Sequence, residues 1–236
     1  MHIVLVLLLM LLACPAVAGT AGAVAAQSTS LDEGRFTLTR AGTTVGSEAF
    51  SIRQSGTGDA ARIIAQAQIR LETGSGTLEM APALQASGAD MAISAYQIKV
   101  SGEAAEEIYV TLGERRFLTT VVSEAGERQR EYRASAGTVL LDRDVAHQFY
   151  FLGRRLESGA TSFPVIIPRE GRQLEMRVTE SAIVTIRIGE QSLQARHVRL
   201  EGGGEIREAW IDDQHRVLRV ADPGSGYRAE RQEPPG

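Results

Sequence analysis

The sequence predicts a mainly β, α+β domain in which about eleven short strands surround one amphipathic helix. Two observations point there. Most of the chain beyond position 34 alternates apolar and polar residues between turns rich in Gly, Ser and Asp. Only Val139 to Arg169 carries helical periodicity, and no composition break divides the rest, so a single domain is expected over 34–231. A helix with one apolar stripe among strands must lay that stripe on a sheet.

Residues 1–26 read as a signal peptide. Ile3 to Ala13 is an uncharged apolar run, shorter than the roughly 20 residues a membrane-spanning helix needs. Val24-Ala25-Ala26, before Gln27, places small side chains where signal peptidase reads them. Cleavage after Ala18 is a second candidate. Leu11-Leu12-Ala13-Cys14 resembles a lipobox, in which Cys14 would be lipidated and become the N-terminus. The n-region departs from the usual pattern in having His2 and no Lys or Arg. The expected location is the periplasm or the exterior, with a lipid anchor if Cys14 is a true lipobox cysteine. Cys14 is the only cysteine, so cleavage after Ala26 leaves no disulfide, thiol nucleophile or thiolate metal site. The net charge of −4 argues against a nucleic-acid partner, which needs a basic stripe, and Lys99 is the only lysine. No transmembrane span is expected after the leader.

Residues 27–33 are polar and read as a flexible lead. Arg35 to Arg40 and Val45 to Arg53 form a first hairpin around Ala41 to Thr44. Ile63, Ala65, Ala67, Ile69 and Leu71 share one face of the next strand, and the two alanines leave room for a helix or a ligand. Residues 72–89, rich in Gly and Ala, show only a short strand end at Leu78 to Pro82. Met91, Ile93 and Ala95 alternate, and Tyr96, Ile98 and Val100 continue on the opposite parity, so the strand is bulged or covered on both faces. Glu107 to Leu112 and Arg116 to Val122 pair across Gly113-Glu114, and Gln129 to Arg133 follows.

The helix stripe is Leu141, Val145, Phe149, Leu152 and Leu156. Asp142 is its expected N-cap, Asp144 adds charge to the first turn, Arg154 and Arg155 suit the last turn, and Gly159 closes it. His147 falls off the stripe and is expected at the surface or rim. Beyond the helix, strands are read at Val165 to Ile167, Arg172 to Thr179, Ile183 to Ile188, Gln194 to Glu201, Glu205 to Ile211, Val217 to Val220 and Gly226 to Arg231. Residues 232–236 are expected as a disordered tail.

No catalytic constellation stands out. His147, His197 and His215 sit in no nucleophile elbow. Asp212-Asp213-x-His215 reads as turn formers rather than a metal cluster, and Glu103, Glu106 and Glu107 as a solvated turn. Gly202-Gly203-Gly204 lacks the lysine and helix of a phosphate loop. The expectation is a protein that is not an enzyme and takes no metal or cofactor, although His197 or His215 meeting a serine and a carboxylate would make an envelope hydrolase. The helix face has two readings. It plugs a solid core, or with the sheet it encloses a ligand cavity lined by Ile63, Ala65, Ala67, Ile69, Val145, Phe149, Leu152 and Trp210.

Three segments carry a resemblance: Gly34 to Phe50 with Val45-Gly46 near its turn, the helix with Phe163-Pro-Val-Ile-Ile-Pro168, and Ala209 to Leu218. They are similar to parts of uncharacterised bacterial exported proteins that look like distant members of the periplasmic lipoprotein-carrier superfamily. The resemblance spans roughly residues 34 to 222. It implies a curved antiparallel half-barrel, here of about eleven strands, with one principal amphipathic helix on its concave face. It also implies non-enzymatic binding of a lipid, an acyl chain or another hydrophobe, and it transfers no catalytic residues. The well-known carriers have more helices. The alternative is a structural or interaction protein with a filled core, presenting loops or edge strands to an envelope partner.

Overall fold

The computed structural model describes residues 28–102 and 104–236. The expected signal segment with Cys14, Gln27 and Glu103 lie outside them. Fifteen strands form one open sheet, which corrects the expected half-barrel of about eleven. In chain order they are β1 (Ser28–Arg40), β2 (Thr43–Ser55), β3 (Arg62–Thr73), β4 (Gly76–Ser87), β5 (Ala92–Ser101), β6 (Glu106–Leu112), β7 (Arg116–Ser123) and β8 (Gly126–Arg133). After these come β9 (Val139–Leu140), helix α1 (Tyr150–Glu157), β10 (Ser162–Ile167), β11 (Arg172–Ile188) and β12 (Gln191–Gly202). The series ends with β13 (Glu205–Ile211), β14 (Val217–Asp222) and β15 (Tyr227–Arg231).

Two meanders make up the sheet. β1 to β8 run outward to one end and β10 to β15 run back from the other, and they join where β15 pairs with β1, with Leu38 opposite Ala229. All neighbours are antiparallel except β9 and β10, so the expectation of a purely antiparallel sheet is also corrected. The segment between β9 and β10, which contains α1, carries the chain from one end of the sheet to the other.

The added strands come from identifiable places. Residues 28–33, expected as a lead, are the first half of β1 and pair with β2 from Ser28 opposite Ser55. β4 was hidden by its glycines, its alanines and Pro82, which cannot donate to a ladder. The β3–β4 pairing accordingly runs to Gln66 opposite Ala83 and resumes at Ile69 opposite Met80. β9 is two residues long, too short for any periodicity. Conversely, the two strands expected between 172 and 188 are one, bulged between Val178 and Glu180. The parity change after Ala95 is a bulge as well: Ala95 faces Gln85 and Ile93 faces Ala86, which leaves Ser94 unpaired.

The sheet curls until its ends are within reach of side chains, yet among the described residues no backbone ladder closes it. The Gln173 amide stands in for a strand residue: it accepts from Arg133 N at 2.9 Å and donates to Arg133 O at 2.8 Å. The Arg130 guanidinium donates to Gly171 O at 2.9 Å, and any side chain at Gly171 would collide with it. β8, the edge strand, is GERQREYR and exposed along most of its length, a charged sequence that discourages pairing with another chain.

Leu141, Val145, Phe149, Leu152 and Leu156 are all buried, but the helix is shorter than their spacing suggests. A 3-10 turn, His147–Phe149, leads into α1, and residues 141–146 are not helical. Asp142 is no N-cap. It is fully buried, and its carboxylate accepts from Tyr96 Oη at 2.9 Å, Arg143 N at 3.0 Å and Arg169 N at 3.2 Å. Asp144 sits at φ 59°, which breaks the helical run. The cap comes instead from β2: the Glu48 carboxylate accepts from Ala146 N at 2.8 Å and His147 N at 2.9 Å. Gly159 closes the helix at φ 79°, and Arg154 and Arg155 occupy its last turn, as expected. The tail is not loose either: Gln232 N donates to Arg35 O at 2.9 Å, and Arg216 holds Gly236 O at 2.6 Å.

Candidate ligand-binding cleft

Two polar arrangements are candidates for chemistry: a buried cluster beneath the helix and an open cleft at its end. The cluster centres on Glu48 and His147, both wholly inaccessible to solvent, with Oε1 and Nδ1 2.6 Å apart. This corrects the surface placement expected for His147, whose ring also stacks with Phe50 at 6.1 Å. Asp142 and Tyr96 lie in the same interior. Burial pushes the Asp142 carboxyl up, with Arg169 the chief opposing influence, and burial and then Asp142 push the Tyr96 phenol well above its usual value. With no exposed atom at Glu48, His147, Asp142 or Gln148, the cluster has no face to offer a substrate. Its role is to fix the segment before α1.

The cleft is built from segments distant in sequence. In the β13–β14 turn, Asp212 Oδ1 accepts from Gln214 N at 2.9 Å and Arg216 N at 2.8 Å, and Oδ2 accepts from Arg216 Nε at 2.7 Å. The turn holds His215 at φ 67°, a conformation that strains a residue with a Cβ by an amount on the order of 1 kcal/mol. His215 docks on α1 because position 153 is glycine: a Cβ there would stand 2.6 Å from the His215 Cβ. His215 Nε2 then lies 3.2 Å from Glu157 Oε2. Arg154, followed by His215, holds the Glu157 carboxyl below the usual range.

Beside this contact opens a cleft of about 570 Å³. Leu156, Ile183, Leu193, Ile211 and Pro235 give it apolar walls, and Arg196, Asp213 and His215 give it polar ones. Ile183, on β11, is 66% exposed there. The volume is within the range of small-molecule sites, roughly 300–1,000 Å³.

The structure divides the eight residues expected to line a cavity. Ile63, Ala65, Ala67, Ile69, Val145, Phe149 and Leu152 are brought together, packed in the main buried core. Trp210 is apart, in a smaller cluster with Ile186, Ile188, Ala195 and Leu218, stacked on His197 at 4.3 Å with Arg219 over its ring. None of the eight borders the cleft beside α1. Sequence reasoning missed Gly153, Ile183 and Leu193. Of the lining residues, Leu156 was placed on the helix stripe, the Asp212–His215 turn was weighed as a metal cluster and read as turn formers, and His215 was named for a hydrolase. Among the described residues no cluster suits a metal ion, and no helix is long and apolar enough to cross a membrane.

No protein-family model matches the chain, and no curated protein matches it. Among solved structures it is similar to the crystal structure of a β-barrel-like protein of a domain of unknown function from Brucella abortus. That protein is 9% identical, the match covers 85% of this chain and 95% of that one, and the TM-score is 0.49. These comparisons provide no link to the lipoprotein-carrier superfamily.

Proposed function

We propose that this is an exported envelope protein that binds a hydrophobic ligand in the cleft at the end of α1 and acts by binding rather than by turnover. The observation that carries this reading is the cleft itself: apolar side chains from α1, β11, β12 and β13 converge on an open space of ligand size. Each methylene of an acyl chain buried there contributes about 0.8 kcal/mol, so useful affinity needs no elaborate polar site. Export rests on the apolar leader with small residues at positions 24–26.

The test is titration with a fluorescent fatty-acid probe, joined to native mass spectrometry of the full-length product recovered from cells. Saturable binding near one probe per chain, weakened by Ile183→Asp, supports the reading. No binding, with no co-purifying hydrophobe, removes it. The mass of the same product shows whether the chain begins after Ala26, after Ala18 or at a lipidated Cys14.

A second reading has its own support. Tyr109, Leu118 and Val122, 42%, 51% and 42% exposed, lie on one face of β6 and β7 beside the charged edge β8, interspersed with Thr111 and Thr120. Exposed apolar residues on one sheet face suit a protein that docks on an envelope partner. Loss of a cross-linked partner in Leu118→Lys, with probe binding intact, would favour that reading.

A further inference from the structure

We infer that the ligand is an amphiphile whose head is zwitterionic and rests in a second, polar cleft that adjoins the apolar one at Arg216. This rests on the reading of the apolar cleft as a binding site. The second cleft has a volume of about 810 Å³ and shares Arg216 with the first. The C-terminal segment runs between them, with Pro235 lining the apolar cleft and Glu233, Pro234 and Gly236 lining the polar one. A molecule crossing at Arg216 therefore has an apolar wall for one end and a polar wall for the other.

The charges of the polar cleft select the head. Asp32 and Arg231 form a buried pair at 2.7 Å, Arg216 is committed to Asp212 and Gly236, and the exposed Glu33 lies 3.9 Å from Arg53. Among the described residues, Arg35 and Glu233 line the cleft, are exposed and have no ion-pair partner. The bond from Gln232 N to Arg35 O ties the segment that carries Glu233 to the strand that carries Arg35. A free guanidinium and a free carboxylate lining one cleft match a head that carries both signs, a phosphate for Arg35 and a quaternary or primary ammonium for Glu233. A purely anionic head would gain Arg35 and meet Glu233, a purely cationic one the reverse.

The experiment compares probes of matched single-chain length on the full chain: a lysophosphocholine, a fatty acid, an alkyltrimethylammonium and an alcohol, each below its micelle concentration. Calorimetry should show the zwitterion binding about tenfold tighter than the other three. In Arg35→Ala/Glu233→Ala that preference should vanish while alcohol binding is unchanged, since both positions are exposed and outside the apolar cleft. If the alcohol and the zwitterion bind equally to the unmodified protein, the head assignment is overturned and the apolar site survives. If the preference is lost in Arg196→Ala/Asp213→Ala and kept in Arg35→Ala/Glu233→Ala, the head lies at the apolar rim and the placement is overturned. If no probe binds, the cleft reading fails with it.

Discussion

Glu48 caps a helix from a different element, and replacing it with Gln tests how far the segment before α1 depends on that cap. The carboxylate accepts two backbone N–H groups and lies 2.6 Å from His147 Nδ1. Glutamine keeps one acceptor oxygen and turns an amide N–H₂ toward groups that are themselves donors. At least one buried backbone N–H then loses its acceptor, at a cost of about 1–3 kcal/mol, and the surviving bond loses its charge assistance, about 1 kcal/mol more. Burying a neutral amide instead of a carboxylate returns part of this. The expected net loss for Glu48→Gln is about 1–3 kcal/mol. Guanidinium denaturation should show the midpoint falling with its slope unchanged, and the near-UV signal of Tyr150 and Phe151 should weaken. An unfolding free energy within about 0.5 kcal/mol of the parent would refute the claim that Glu48 anchors this segment.

Gly153→Ala should break the rule that alanine stabilises a helix. The propensity gain of about 1 kcal/mol opposes a methyl pressed against His215, so the variant should be neutral to about 2 kcal/mol less stable and should bind the fatty-acid probe more weakly. A variant stabilised by about 1 kcal/mol with unchanged affinity would contradict this. Asp142 and Asp32 are both raised, chiefly by burial. Each therefore contributes stability that is present below the ordinary carboxylate range and lost as pH rises through its folded value. Stability of Asp142→Asn relative to the parent should improve between about pH 4 and pH 7, and a relative stability that falls over that range would reverse the assignment. Gln173→Ala removes the two bonds that bridge the sheet ends. It should cost about 1–2 kcal/mol and speed exchange of the Arg133 amide, whereas unchanged exchange would show that the seam is held elsewhere.

Where one element's own pattern decided the outcome, the sequence was readable. β3 needed only its alternation, and the bulge at Ser94 announced itself as a change of parity between Ile93 and Tyr96. The stripe of the helix was right about burial and wrong about extent, because the cap came from Glu48, far away in sequence. His147 illustrates the same limit: off the stripe of its own helix, it faces a carboxylate on β2. β4 was obscured because its Gly, Ala and Pro content reads as loop, while pairing on both sides overrides that weak propensity. The cleft was least legible. It depends on Gly153 meeting His215 and on Ile183 and Leu193 facing the end of α1, contacts with no local period.

The junction of β1 with β15 has a consequence for how the chain reaches this state. Asp32 and Arg231, 199 positions apart, form a buried pair at that junction. β1 does not find its second neighbour until residues 227–231 are present. Closing so long a loop before gaining its contacts also makes the final step slow. The two meanders can form their hairpins early and independently, so refolding should show fast gain of strand signal followed by a slow phase in which Asp32 and Arg231 are sealed together.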